Sequence, residues 1–157
     1  MRVKLFLITA LAALLAAGPS FAGDVVTFAR GSVNQDVSCI TIDWTADAAG
    51  AITPTVISDA AGVTLTINGW VFEVVTLPGA TAPDDYTLTL TDKDGRDMLT
   101  AQGANRSVSA AESIVPLLAG TAHYGAKFVD GHLIFAVTDN ATNAAKGQVR
   151  IYYHPRR

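Results

Sequence analysis

From residue 23 onward, apolar and polar residues alternate with a period of two in a succession of short runs. Val63, Leu65 and Ile67 alternate with Thr64 and Thr66, and Tyr86, Leu88 and Leu90 with Thr87, Thr89 and Thr91. Further on, Leu133, Phe135 and Val137 alternate with Ile134, Ala136 and Thr138, then Val149, Ile151 and Tyr153 with Gln148, Arg150 and Tyr152. A strand sends successive side chains to opposite faces, so this rhythm predicts strands with one buried and one solvated face. The residues are the β-branched and aromatic types that fit a pleated, half-buried surface. The pattern places strands near 24–30, 37–45, 51–58, 62–68, 69–77, 85–92, 127–138 and 147–154. Asn68-Gly69 and Asp94-Gly95 are dipeptides of the tight-turn kind, the second leading to the short apolar stretch Met98-Leu99. Pro78 and Pro83 bracket a loop, and the polar link from Thr138 to Gly147 is expected to return the chain as a hairpin. Many short strands between Gly, Asp and Asn turns predict an all-β fold, a β-sandwich or jelly-roll-like domain of about eight antiparallel strands.

Residues 100–126 fit the rhythm least. Ser109-Ala110-Ala111-Glu112 matches a capping box that would start a helix, but Pro116 would end it within a few residues. A short edge strand at Ser113 to Leu117 within an irregular excursion is the preferred reading. Long loops in compact domains often carry function, so a contact surface is expected here.

The N-terminus follows another logic. Arg2 and Lys4 precede an apolar run from Leu5 to Ala17 interrupted only by Thr9, then Gly18-Pro19 and Ser20-Phe21-Ala22. These are the three parts of a cleavable secretory signal helix, shorter than a membrane-spanning segment. The chain therefore divides into a signal peptide, 1–22, and a single β domain, 23–157. Losing the signal removes two of eleven basic residues and none of the fourteen acidic ones, leaving nine against fourteen, a net charge of −5. Nucleic-acid binding depends on Lys and Arg displacing counterions, so that balance argues against it, and against an anionic membrane surface. A secreted or periplasmic location follows. The sole cysteine, Cys39, is not at the cleavage point and has no partner for an internal disulfide. It shares a strand face with Thr41 and Asp43, opposite Ile40, Ile42 and Trp44, which reads as an unreactive thiol.

Candidate chemistry is sparse. Asp92, Asp94 and Asp97 around Gly95 form an acidic cluster with Asp84 and Asp85 nearby, and Asp-rich loops can hold calcium. The EF-hand spacing is missing, however, and Asp favours turns because its side chain bonds the local backbone. A solvated turn is the expectation and a calcium site the alternative. His123, His132 and His154 lack zinc-site spacing, and no nucleophile elbow, P-loop or dinucleotide fingerprint occurs. The protein is therefore expected not to be an enzyme and to need no cofactor. Trp44 continues the Ile40/Ile42 face and Trp70 runs into Phe72 and Val74, so both are expected in the core rather than on a sugar-stacking platform. Asn105-Arg106-Ser107 and Asn140-Ala141-Thr142 match the glycosylation sequon and are read as polar turns.

Three segments carry a resemblance. They are Trp44-Thr45-Ala46-Asp47-Ala48-Ala49-Gly50; Pro83-Asp84-Asp85-Tyr86 through Asp94-Gly95-Arg96-Asp97, with Gly103-Ala104-Asn105-Arg106; and Asp130-Gly131-His132 through Thr138-Asp139-Asn140, ending in Ala145-Lys146-Gly147-Gln148-Val149-Arg150-Ile151-Tyr152. Their order, spanning about 38 to 153, resembles small, mostly uncharacterised tailed-phage virion structural proteins encoded among head and tail genes. The resemblance implies a decoration-like accessory β-sandwich in a virion, with no catalytic residues to carry over. Such proteins assemble in the cytoplasm and normally lack an export signal, whereas this chain begins with one. The function expected is structural or binding, through contacts with protein partners or self-association. The alternative is a secreted ligand- or carbohydrate-binding module.

Overall fold

The alternating runs form strands β1 (Val25–Ser32), β2 (Ser38–Thr45), β3 (Ile52–Val56), β4 (Thr66–Pro78), β5 (Thr87–Asp92), β6 (Glu112–Ile114), β7 (Lys127–Thr138) and β8 (Lys146–Pro155). The computed structural model describes residues 23–118 and 120–156, and the signal segment expected over 1–22 lies outside them. Among the described residues there is no helix. Every strand pairing is antiparallel. The strands join in one curled sheet of order β1-β2-β8-β4-β7-β3, with β5 added on β7 and β6 on β4.

The curl depends on strands that change partners. Residues 66–71 of β4 pair with the first half of β7, whose second half lies between β3 and β5. The change falls at Gly131, whose φ of +128° is open to glycine and strained for other residues. A Cβ there would also press on the Lys93 side chain. Curling brings inner faces together: Trp44 of β2 meets Tyr86, just before β5, with ring centroids 5.6 Å apart. Ile40, Ile42, Val71, Val74, Leu88, Leu90, Leu133, Phe135, Val149 and Ile151 share this interior. Each such side chain contributes about 1.5–3 kcal/mol through burial.

Three expectations are corrected. First, Asn68-Gly69 is not a turn. It lies within β4, one strand of thirteen residues in place of the two expected at 62–68 and 69–77. Gly69 sits where the backbone of β8 approaches so closely that the His154 carbonyl occupies the space a Cβ would take. Second, Trp70 is not in the core; it is 49% exposed. Ile67 and Val71 point inward and so does Val74, three residues on, because a bulge at Phe72 sets two residues of β4 against one of β8. Trp70 therefore lies on the face opposite Val74. Third, the 138–147 link does not close a hairpin, since β8 inserts between β2 and β4. Asn140 draws the link aside: its Nδ2 donates to the Gly50 carbonyl (2.8 Å) and its Oδ1 accepts from the Asp84 amide (2.8 Å). The Ala46 amide then donates to the Ala145 carbonyl and leads β8 alongside β2.

The described residues of 100–126 contain no helix; Glu112–Ile114 forms the short strand β6 against Val74–Thr76 of β4. The Glu112 carboxylate does not cap a helix but accepts from the Ser107 amide at 2.6 Å.

Candidate functional site

Trp70, turned outward by alternation with Ile67 and Val71, begins an aromatic row on the outer face that runs into the bulge. Trp70 is the register partner of Phe128 on β7 and of His154 on β8. The Trp70 and Phe128 rings are 5.1 Å apart and tilted by 59°. Phe72, the bulge residue, stacks on His154 at 4.6 Å and reaches Tyr152 at 6.4 Å.

At one end of this row a pocket of about 610 Å³ opens. Trp70, Phe128 and Met98 form its apolar wall, and Thr100, Ala101, Leu118 and Ala126 close it from the 100–126 stretch. That stretch therefore supplies a wall of the cleft, as well as an edge strand. Arg96, Asp97 and Lys127 bring charge to the rim. The volume lies within the range of pockets that enclose small organic molecules.

The rim is held by a chain of hydrogen bonds. Asp97 accepts from the Leu99 and Ala101 amides, both at 2.8 Å. Lys127 Nζ donates to the Asp97 carbonyl at 2.8 Å and also to Thr100 Oγ1, which in turn donates to the Leu117 carbonyl at 2.7 Å. These bonds hold Thr100 and Ala101 at φ of +49° and +62°. A β-branched residue in that region is strained by about 1–3 kcal/mol, so the wall is shaped against the local preference of its backbone. Burial beside the apolar wall lowers the Lys127 pKa, opposed by the nearby Asp97 charge.

Asp92, Asp94 and Asp97 do not converge. Asp92 is buried; its Oδ1 accepts from the Asp94 and Arg96 amides, and its Oδ2 faces the Arg96 guanidinium, 2.6 Å from Nε. Burial raises the Asp92 pKa, but the hydrogen bonds from Arg96 and Asp94 outweigh it and hold the carboxyl below its ordinary value. Asp94 pairs with Lys93 at 3.0 Å. Asp47 and Asp59 repeat the pattern of Asp92 and Asp97, each accepting from amides two and four residues on. These four aspartates are turn formers, each accepting backbone amides through its carboxylate. Among the described residues no three His, Cys, Asp or Glu groups gather as a metal site.

The remaining candidates are dispersed. His123 lies in an exposed turn, His132 on β7 pairs with Thr66 of β4, and His154 Nδ1 lies 2.9 Å from the Asp36 carbonyl. Cys39 faces outward in β2, 4.0 Å from Thr41 Oγ1. Asn105 stands at φ +53° in a turn. Asn140, read from sequence as a polar turn, is instead a buried clip joining three segments. Trp44 Nε1 is buried without a hydrogen-bond partner among the described residues, and the buried Tyr86 and Thr76 hydroxyls face each other without completing a full hydrogen bond. A smaller cleft of about 390 Å³ opens beside Trp44, but Thr27, Asp43, Lys146 and Gln148 make it more polar.

Sequence reasoning missed Trp70, Phe128 and Lys127 as pocket residues. The available signal was parity: Ile67 and Val71 share one face, so in an unbroken strand Trp70 and Phe72 fall on the other.

Compared with protein-family models, curated proteins and solved structures, the chain gives no match.

Proposed function

We propose that the chain is a non-enzymatic binding protein, exported from the cytoplasm, whose single domain behaves as a β-sandwich. On this reading the curled sheet supplies both layers, and the pocket beside Trp70 receives a small apolar ligand. One observation carries the proposal: a half-exposed tryptophan and its cross-strand Phe128 form the wall of an apolar pocket whose other side is held in strained backbone. Soluble domains expose such aromatic surface chiefly where something binds. The predominance of Met98, Ala101, Leu118 and Ala126 favours an apolar ligand over a sugar, which needs many polar contacts. Export rests on the signal-like features of residues 1–22.

Titration with N-phenyl-1-naphthylamine tests the reading, since the chain has two tryptophans. Quenching should persist in Trp44→Phe and vanish in Trp70→Phe. The reverse pattern, or no quenching at all, rejects the pocket.

A second reading keeps the protein–protein contact implied by the virion-accessory resemblance, and the edge strand β1 favours it. Among the described residues β1 pairs only with β2, in unbroken register over eight residues, and has no proline or bulge. The opposite edge, β3, carries Pro54 and a register shift, devices that discourage strand addition. Sedimentation of the protein against its Thr27→Lys variant distinguishes the cases. Association lost on adding that charge supports the edge contact, and a monomer in both forms rules out self-association through β1.

A further inference from the structure

We propose that the pocket selects a ligand with a flat apolar body and one anionic group, the body lying against Trp70 and Phe128 and the anion meeting Lys127. This rests on the reading of the pocket as the binding site and adds the chemistry of the ligand.

The charge arrangement supports it. An ammonium carries three N–H donors. Lys127 gives two of them to neutral acceptors, the Asp97 carbonyl and the Thr100 hydroxyl. Among the described residues no third acceptor meets it, and no carboxylate lies within ion-pair distance. The one acid in the lining, Asp97, directs its carboxylate at the Leu99 and Ala101 amides. Arg96 stands differently, because Asp92 already pairs with it at 2.5 Å. The rim thus holds one cation ion-paired inside the fold and one, Lys127, on which the Asp97 carboxylate acts only from beyond ion-pair distance. A cation drawn partly out of water beside an apolar wall is stabilised by an anion that arrives with the ligand. A volume of about 610 Å³ accommodates a two- or three-ring body, and Asp97, Thr100 and Lys127, joined by hydrogen bonds, gather polar groups together, which fixes the orientation.

Two fluorescent probes share one ring skeleton and differ by a sulfonate: 8-anilinonaphthalene-1-sulfonate and the neutral N-phenyl-1-naphthylamine. Energy transfer from Trp70 in the full chain reads both affinities. The sulfonate should bind about tenfold tighter, the scale of one charge-assisted hydrogen bond. Lys127→Gln, which keeps donors but loses charge, should erase that preference, and Lys127→Arg should retain it. Thermal midpoints of both variants monitor the Thr100 wall. Equal affinities, or a preference unchanged in Lys127→Gln, would overturn the anion assignment while Trp70-dependent binding of the neutral probe left the pocket standing. If neither probe binds, both readings fall.

Discussion

The two tryptophans occupy similar sequence settings and opposite physical ones. Trp44 ends an alternating run in β2, is 2% exposed and packs on Tyr86. Trp70 begins an alternating trio in β4, with Phe72 and Val74, yet is 49% exposed and packs on Phe128. The difference is one residue. β2 pairs without interruption on both sides, so its parity is kept from Ser38 to Thr45. β4 carries an extra residue at Phe72, and parity changes across it. A regular strand places residues by alternation alone; a bulged one adds a switch, which here leaves Trp70 and Phe72 on the wet face and brings Val74, of the same apparent parity, to the dry one.

Single-residue deletions break this comparison most sharply. Deleting Ile42 from β2 shifts Trp44 and its neighbours by one position, turning core side chains to solvent, and circular dichroism should show no folded protein. Deleting Phe72 should leave a folded chain, because Val71 and Glu73 already face consecutive residues of β8, Tyr153 and Tyr152. That deletion forfeits the stack on His154 and should cost about 1–2 kcal/mol in urea unfolding. Equal damage from both deletions would refute the bulge as the switch.

Truncation comes next. Trp44→Ala should cost about 3–5 kcal/mol, as for a large buried aromatic side chain. Trp70→Ala should cost no more than about 1 kcal/mol while abolishing probe binding. A smaller effect belongs to Asp92. Its folded-state pKa is depressed, so its contribution is complete above the unfolded-state value, near pH 4, and is lost as pH falls through the lower folded value. Wild-type stability should fall below about pH 4 more steeply than that of Asp92→Asn, which at neutral pH is weaker by about 1–2 kcal/mol. Parallel pH profiles would contradict this. The smallest effect is Tyr86→Phe: its buried hydroxyl faces only the Thr76 hydroxyl, in a contact short of a full hydrogen bond among the described residues, so removal should cost no more than about 1 kcal/mol of unfolding stability. A large loss would reveal a hydrogen bond at that position.

What could be read in advance was whatever depends on short range. Alternation located seven of the eight strands to within a few residues, although it divided β4 in two. The Asp94-Gly95 turn forms, with Gly95 donating to the Asp92 carbonyl at 3.0 Å. Cys39 and Trp44 lie on the faces their run implied. The failures share a cause at longer range. Gly69 is small because β8 crosses it, Phe72 bulges because β8 has one residue fewer there, and Asn140 is buried because the Gly50 and Asp84 loops close over it. The pocket was legible only as a suspicion about 100–126, since its aromatic wall comes from β4 and β7, strands that meet 58 residues apart at the Trp70–Phe128 pair.

The divided pairing of β7 has a consequence for how the molecule comes apart. Among the described residues, strand ladders connect β3 and β5 to the remaining strands through β7 alone. Fraying that starts at either border has to reach this shared rung before the other half is released. Its amides should therefore be among the slowest to exchange with deuterium, and the domain should lose structure in one step.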